Sequence, residues 1–180
     1  MAIFASESVL SGFRDLIALI EASRDLVYIK EGEIHRANRS LDVHPALVGT
    51  WKLNLEESTF EPGSVPQEGV RVYRDRGYGL ISVVSSIVDA SGLRRRDAFV
   101  YRPDGNDYLV SADPLSPRTI TMSPIDAFSA EIIVKSWNQI VSTGRQTLDR
   151  RGRTMTVETL ELDARGQPRK STTFWEKQPR

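Results

Sequence analysis

The chain of 180 residues contains no cysteine, which excludes disulfides, thiolate metal sites, cysteine nucleophiles and iron–sulfur clusters. Histidine is nearly as scarce. The two present, His35 and His44, have no convergent carboxylate in the sequence around them, so no metal site is expected. Charge of one sign is lacking too: 24 Lys and Arg balance 24 Asp and Glu. With no global field to gather polyanions, neither nucleic acid nor a membrane surface is expected as a partner. Long apolar runs are missing. The first 22 residues are interrupted by Glu7, Arg14, Asp15 and Glu21, so they read as neither a signal peptide nor a membrane span, and a cytoplasmic location is expected. There is no Gly-x-Gly-x-x-Gly after a strand, no Walker A loop, no His-Glu-x-x-His and no Gly-x-Ser-x-Gly, and no cofactor is expected.

What remains is ordinary globular composition, 39% hydrophobic and 27% charged, which points to a folded domain rather than a disordered one. Val9, Leu10, Phe13, Leu16, Ile17 and Ile20 recur at three- and four-residue spacings, with Arg14, Asp15, Glu21 and Arg24 between them. This pattern predicts an amphipathic helix within an extension over 1–45, whose apolar stripe must dock, either covering the rest of the chain or pairing two copies into a homodimer. From Leu47 the period becomes strand-like. Turn signals such as Asp89-Ala90-Ser91-Gly92, Pro103-Asp104-Gly105-Asn106, Arg150-Arg151-Gly152 and Ala164-Arg165-Gly166-Gln167 punctuate about ten strands that reach the C-terminus. Sequential hairpins make neighbours of sequential strands, and closing such a sheet removes its two long edges. The expected fold over 46–180 is therefore mainly β: an antiparallel up-and-down barrel of 8–10 strands behind the helical extension. Asn54 to Gln67 reads as a loop after the first strand, a cover or a lid for one barrel end.

The Gly49-Thr50-Trp51-Lys52-Leu53-Asn54 opening, Glu57 to Gly63, Tyr101 to Tyr108, and Gly152-Arg153-Thr154-Met155-Thr156-Val157 through Trp175-Glu176-Lys177-Gln178 resemble bacterial lipocalin-like, calycin-type barrel proteins over about residues 47–178. The resemblance implies a cup-shaped barrel holding an apolar or amphipathic small ligand, and carries over no catalytic motif. It also implies a structural role for Trp51 as a plug at the narrow end, beneath an arginine from a late strand. Arg145, after Gly144, is the candidate for that arginine.

The segment 93–101 separates Arg95, Asp97, Phe99 and Tyr101 from Arg94, Arg96, Ala98 and Val100 by strand alternation. If the first set points inward, Asp97 and Tyr101 are the candidate catalytic pair, with burial raising the carboxyl pKa for general acid or base work. The alternative is an Asp97 paired with arginine on a solvated face. Tyr73, Phe99, Tyr108, Trp137 and Trp175 are candidate ligand contacts, offering flat apolar walls with hydrogen-bonding handles. The expected function is binding of a small hydrophobic or aromatic molecule. The rival is a cofactor-free lyase, isomerase or cyclase acting in the same cavity.

Overall fold

The computed structural model describes residues 45–61, 63–111, 115–163 and 165–179. The helical extension expected over 1–45 lies outside the described residues, apart from Pro45. After a short 3-10 turn at Pro45–Leu47 come ten strands: β1 (Gly49–Thr59), β2 (Glu68–Asp75), β3 (Ile81–Val88), β4 (Arg94–Tyr101), β5 (Asp107–Ser111), β6 (Arg118–Pro124), β7 (Ser129–Ser136), β8 (Gln139–Leu148), β9 (Thr154–Leu162) and β10 (Pro168–Lys177). Every ladder is antiparallel, and the strand order is β4-β3-β2-β1-β10-β9-β8-β7-β6-β5. The sheet thus curls into an up-and-down barrel in which the first and last strands pair. Its two edge strands, β4 and β5, lie side by side without a ladder between them, so the barrel is nearly closed. Among the described residues no helix is long and apolar enough to cross a membrane.

β1 runs further than the sequence suggests. It continues through Glu56 and Glu57 to Thr59 because a register shift between Asn54 and Thr59 bulges the strand against β10. The Asn54 side chain accepts the backbone N–H groups of Glu56 and Glu57, both at 3.1 Å, which satisfies the bulge locally. The expected loop of 54–67 shrinks to the connection after Thr59.

Three hairpins share one turn chemistry. In each, an aspartate caps the turn and a glycine three residues later takes a positive φ: Asp89 with Gly92 (86°), Asp149 with Gly152 (63°) and Asp163 with Gly166 (73°). The carboxylates accept backbone N–H groups across the turn, from Ser91 and Leu93, from Arg151, Arg153 and Thr154, and from Arg165 and Gln167. These bonds hold all three carboxyls below the usual carboxylate range, with the Ser91 hydroxyl foremost at Asp89, the Thr154 N–H at Asp149 and the Gln167 N–H at Asp163. A carboxyl whose folded pKa is depressed stabilises the fold above its unfolded value, near 4, and that contribution is lost as pH falls through the folded value. Thermal stability should therefore be level on the neutral side and drop below about pH 4. A melting temperature that holds steady down through that window would remove the turns from the account of stability.

At the end of the barrel where β1 begins, Trp51 is fully buried and its Nε1 donates to the Leu47 carbonyl at 2.8 Å. The cation above the ring is Lys177, 5.4 Å from its centre, rather than Arg145. Lys177 is the ladder partner of Trp51 and donates to the Ala46 carbonyl at 2.6 Å. Its stem crosses Gly49, where a Cβ would stand 2.8 Å from Lys177 Cε, so the glycine of the Gly-x-Trp pair is the gap through which the lysine reaches its carbonyl. Arg145 sits opposite Glu131 and Glu158 in its ladders. Its neighbours Gly144 and Gln146 line the interior, which puts Arg145 on the outer face.

Candidate functional site

The inner faces of β2 to β9 enclose a cavity of about 590 Å³. Its walls are mixed: Val83, Phe99, Ile120, Met122, Ile132 and Val157 share them with polar side chains, Ser116, Ser142 and Thr159 among them. Polar side chains divide by depth. Asp97, Arg118 and Glu161 line it but remain exposed, whereas Tyr73, Ser85, Tyr101 and Gln146 are buried. Arg71 lies between these groups, half-buried.

The alternation that places these groups is the reverse of the simplest hydrophobic pattern. In β2, Arg71 and Tyr73 line the cavity, so Val70 and Val72 point outward. In β3, Ser85 is buried while Val84 is 45% exposed. In β4, Asp97, Phe99 and Tyr101 line the cavity together, while Val100 faces outward. Phe99 and Tyr101 are in ring contact, with centroids 6.1 Å apart. Asp97, by contrast, remains exposed, at the margin of the cavity that Phe99 and Tyr101 line more deeply.

Tyr101 is the contrasting case, only 2% exposed. Burial foremost, followed by the neighbouring Tyr73, pushes its phenol far above the usual range, and the charge of Arg71 opposes that shift. Tyr101 therefore stays protonated at neutral pH and offers an O–H donor rather than a base. The Tyr73 hydroxyl donates to Gln146 Oε1 at 3.4 Å across the barrel. The Arg71 guanidinium stacks 4.3 Å over the Trp175 ring, and the Trp175 Nε1 donates to Thr173 Oγ1 at 2.9 Å. Trp175 thus supports Arg71 from below instead of forming cavity wall.

The remaining aromatic candidates stand elsewhere. Tyr108 packs against the core but does not line the cavity, and its hydroxyl donates to Asp104 Oδ2 at 2.7 Å. Trp137 belongs to the β7–β8 turn rather than to a strand. It is 66% exposed, and it and Asn138 both have positive φ, 52° and 61°, the conformation of a two-residue type I′ hairpin. Most of the lining was not foreseen from the sequence, including the polar residues Arg71, Ser85, Arg118, Gln146 and Glu161. The signal for Arg71 was present in the strict alternation Arg71, Tyr73 against Val70, Val72, but that pattern alone does not say which face is inside. Among the described residues no group of His, Cys, Asp and Glu converges to hold a metal ion.

Fold and site together define an antiparallel up-and-down barrel with an internal, mixed apolar and polar cavity. No family model and no curated protein matches the chain. Solved barrels do resemble it. One is a barrel designated EF1p2_mFAP2b, solved bound to DFHBI, with 12% identity over 77% of this chain and 99% of that chain and a TM-score of 0.48. A redesigned β-barrel, mFAP1, also bound to DFHBI, shows 14% identity over 75% and 98% with a TM-score of 0.46. The zebrafish ileal bile acid-binding protein, complexed with cholic acid, shows 11% identity over 74% and 99% with a TM-score of 0.46.

Proposed function

We propose that the barrel binds a small hydrophobic or aromatic molecule in its cavity. The observation that carries this reading is the interior volume of about 590 Å³. Interiors packed for stability alone contain few voids larger than a water molecule, and ligand sites fall at about 300–1,000 Å³. The aliphatic part of the wall fits the body of such a guest, the polar lining residues offer it hydrogen bonds, and Phe99 with Tyr101 supplies a flat surface for an aromatic one. The reading extends to a bacterial lipocalin-like barrel over 46–180, carrying an extension over 1–45 that docks on it or pairs two copies, in the cytoplasm. The Gly49-Thr50-Trp51 opening, with its buried indole, supports the lipocalin-like part of that reading. Native mass spectrometry of the purified protein tests the core of the proposal. A bound small molecule released on denaturation is the expected result. A bare chain that also fails to take up the apolar dye ANS would overturn it.

A further inference from the structure

Arg71 carries a permanent charge on an inner face, and among the described residues its guanidinium forms no ion pair and no hydrogen bond, while lying 4.3 Å over the Trp175 ring. A guanidinium drawn partly out of water and left without an anion is unfavourable. The nearest carboxylate in the ladder pattern is Asp97, on the same inner row through Arg71, Ser85 and Asp97. That places it two strands away, roughly 9–10 Å. The guanidinium leans the opposite way, over β1 towards Trp175 of β10. Its stacking fixes one face of the planar group and leaves the N–H edge available, the geometry that suits a carboxylate.

Two further donors open on the same space. No buried polar side-chain atom among the described residues lacks a partner, yet the Tyr101 hydroxyl has none, so it must open onto the cavity that Tyr101 lines. Gln146 uses its carbonyl oxygen to accept from Tyr73, which turns its amide N–H groups to the interior. The inner end of the cavity therefore presents a cation and donors, with no carboxylate among its buried residues. The carboxylates, Asp97 and Glu161, are held at the exposed margin.

We infer that the guest is a monocarboxylate with an apolar body, its carboxylate seated against Arg71 and hydrogen-bonded by the Tyr101 hydroxyl and the Gln146 amide. This inference rests on the ligand-binding reading above and adds the chemistry of the head group. The charge-assisted bonds to Arg71 replace those that both ions lose on leaving water, while the aliphatic wall takes the body.

Isothermal titration of the full chain with decanoate and with 1-decanol at neutral pH separates the two levels. The unmodified protein should bind decanoate about tenfold or more tightly than decanol, the worth of hydrogen bonds to a charged group. Arg71→Gln should abolish that preference by weakening decanoate at least about tenfold more than decanol. Tyr101→Phe, which keeps the ring packing and removes only the hydroxyl, should give a smaller loss for decanoate alone, and decides the matter if Arg71→Gln does not fold. Equal binding of the two probes to the unmodified protein, or variants that weaken both alike, would overturn the carboxylate site and leave the apolar cavity standing. Binding of neither probe would overturn both.

Discussion

Trp51→Ala is expected to cost about 3–5 kcal/mol, the range for emptying a fully buried indole site, and to lower the melting temperature by roughly 6–20 °C for a chain of this size. The side chain is fully buried, and its loss also strands the Leu47 carbonyl that its Nε1 satisfies. The strand ends around it are mutually dependent: Lys177 reaches the Ala46 carbonyl by crossing Gly49 beside the ring. Truncation therefore removes the surface on which β1 and β10 close. Lys177→Met should cost less, about 2 kcal/mol, for a half-buried cation–π contact and a charge-assisted hydrogen bond. Chemical denaturation of both variants checks the ranking. Equal losses would mean that the cation, rather than the indole, holds the base shut.

The second large effect concerns binding. Ser142→Trp places a bulky ring on the cavity wall, at a half-buried lining position where β8 pairs with Glu161 of β9. Because the ring enters a cavity of about 590 Å³ instead of a packed core, the overpacking cost of about 1–3 kcal/mol that usually follows such a change should not arise. The variant is expected to melt with the unmodified protein and to lose ANS uptake. If uptake persists with the fold intact, the dye binds outside the barrel, where Leu115 and Trp137 are exposed, and the cavity loses its role.

The strand plan was legible because three of its hairpins share a turn chemistry that is written locally in the sequence. Asp89, Asp149 and Asp163 with their paired glycines fix where strands stop, and the local bonds that do so need no tertiary context. The bulge in β1 was not legible, since the Glu56 and Glu57 run looks like loop until Asn54 is seen to cap it. The site was half legible. Asp97, Phe99 and Tyr101 share the cavity face as strand alternation requires, but alternation is silent about depth, which separates an exposed carboxylate from a buried phenol on a single strand. Arg71 was hidden by a stronger prejudice. A strand reading Val-Arg-Val-Tyr invites the valines inside, whereas here Arg71 and Tyr73 line the cavity and the valines face out. Trp137 failed for a different reason, because one residue of strand overrun converts a turn residue into a wall.

The seam between β4 and β5 has a mechanical meaning. Elsewhere around the barrel, enlarging the circumference by one strand spacing means tearing a ladder of backbone hydrogen bonds, each strong when shielded from water. Between β4 and β5, among the described residues, there is no ladder to tear, so away from the short 102–106 connection that joins them, parting the two strands breaks no strand pairing. The cylinder behaves as a split ring: stiff around nine joints and springy at the tenth, with Asp97, Phe99 and Tyr101 mounted on one lip of the split. On the proposed ligand-binding reading, a guest too broad for the open end would have a sideways route in, past the strand that carries Phe99 and Tyr101.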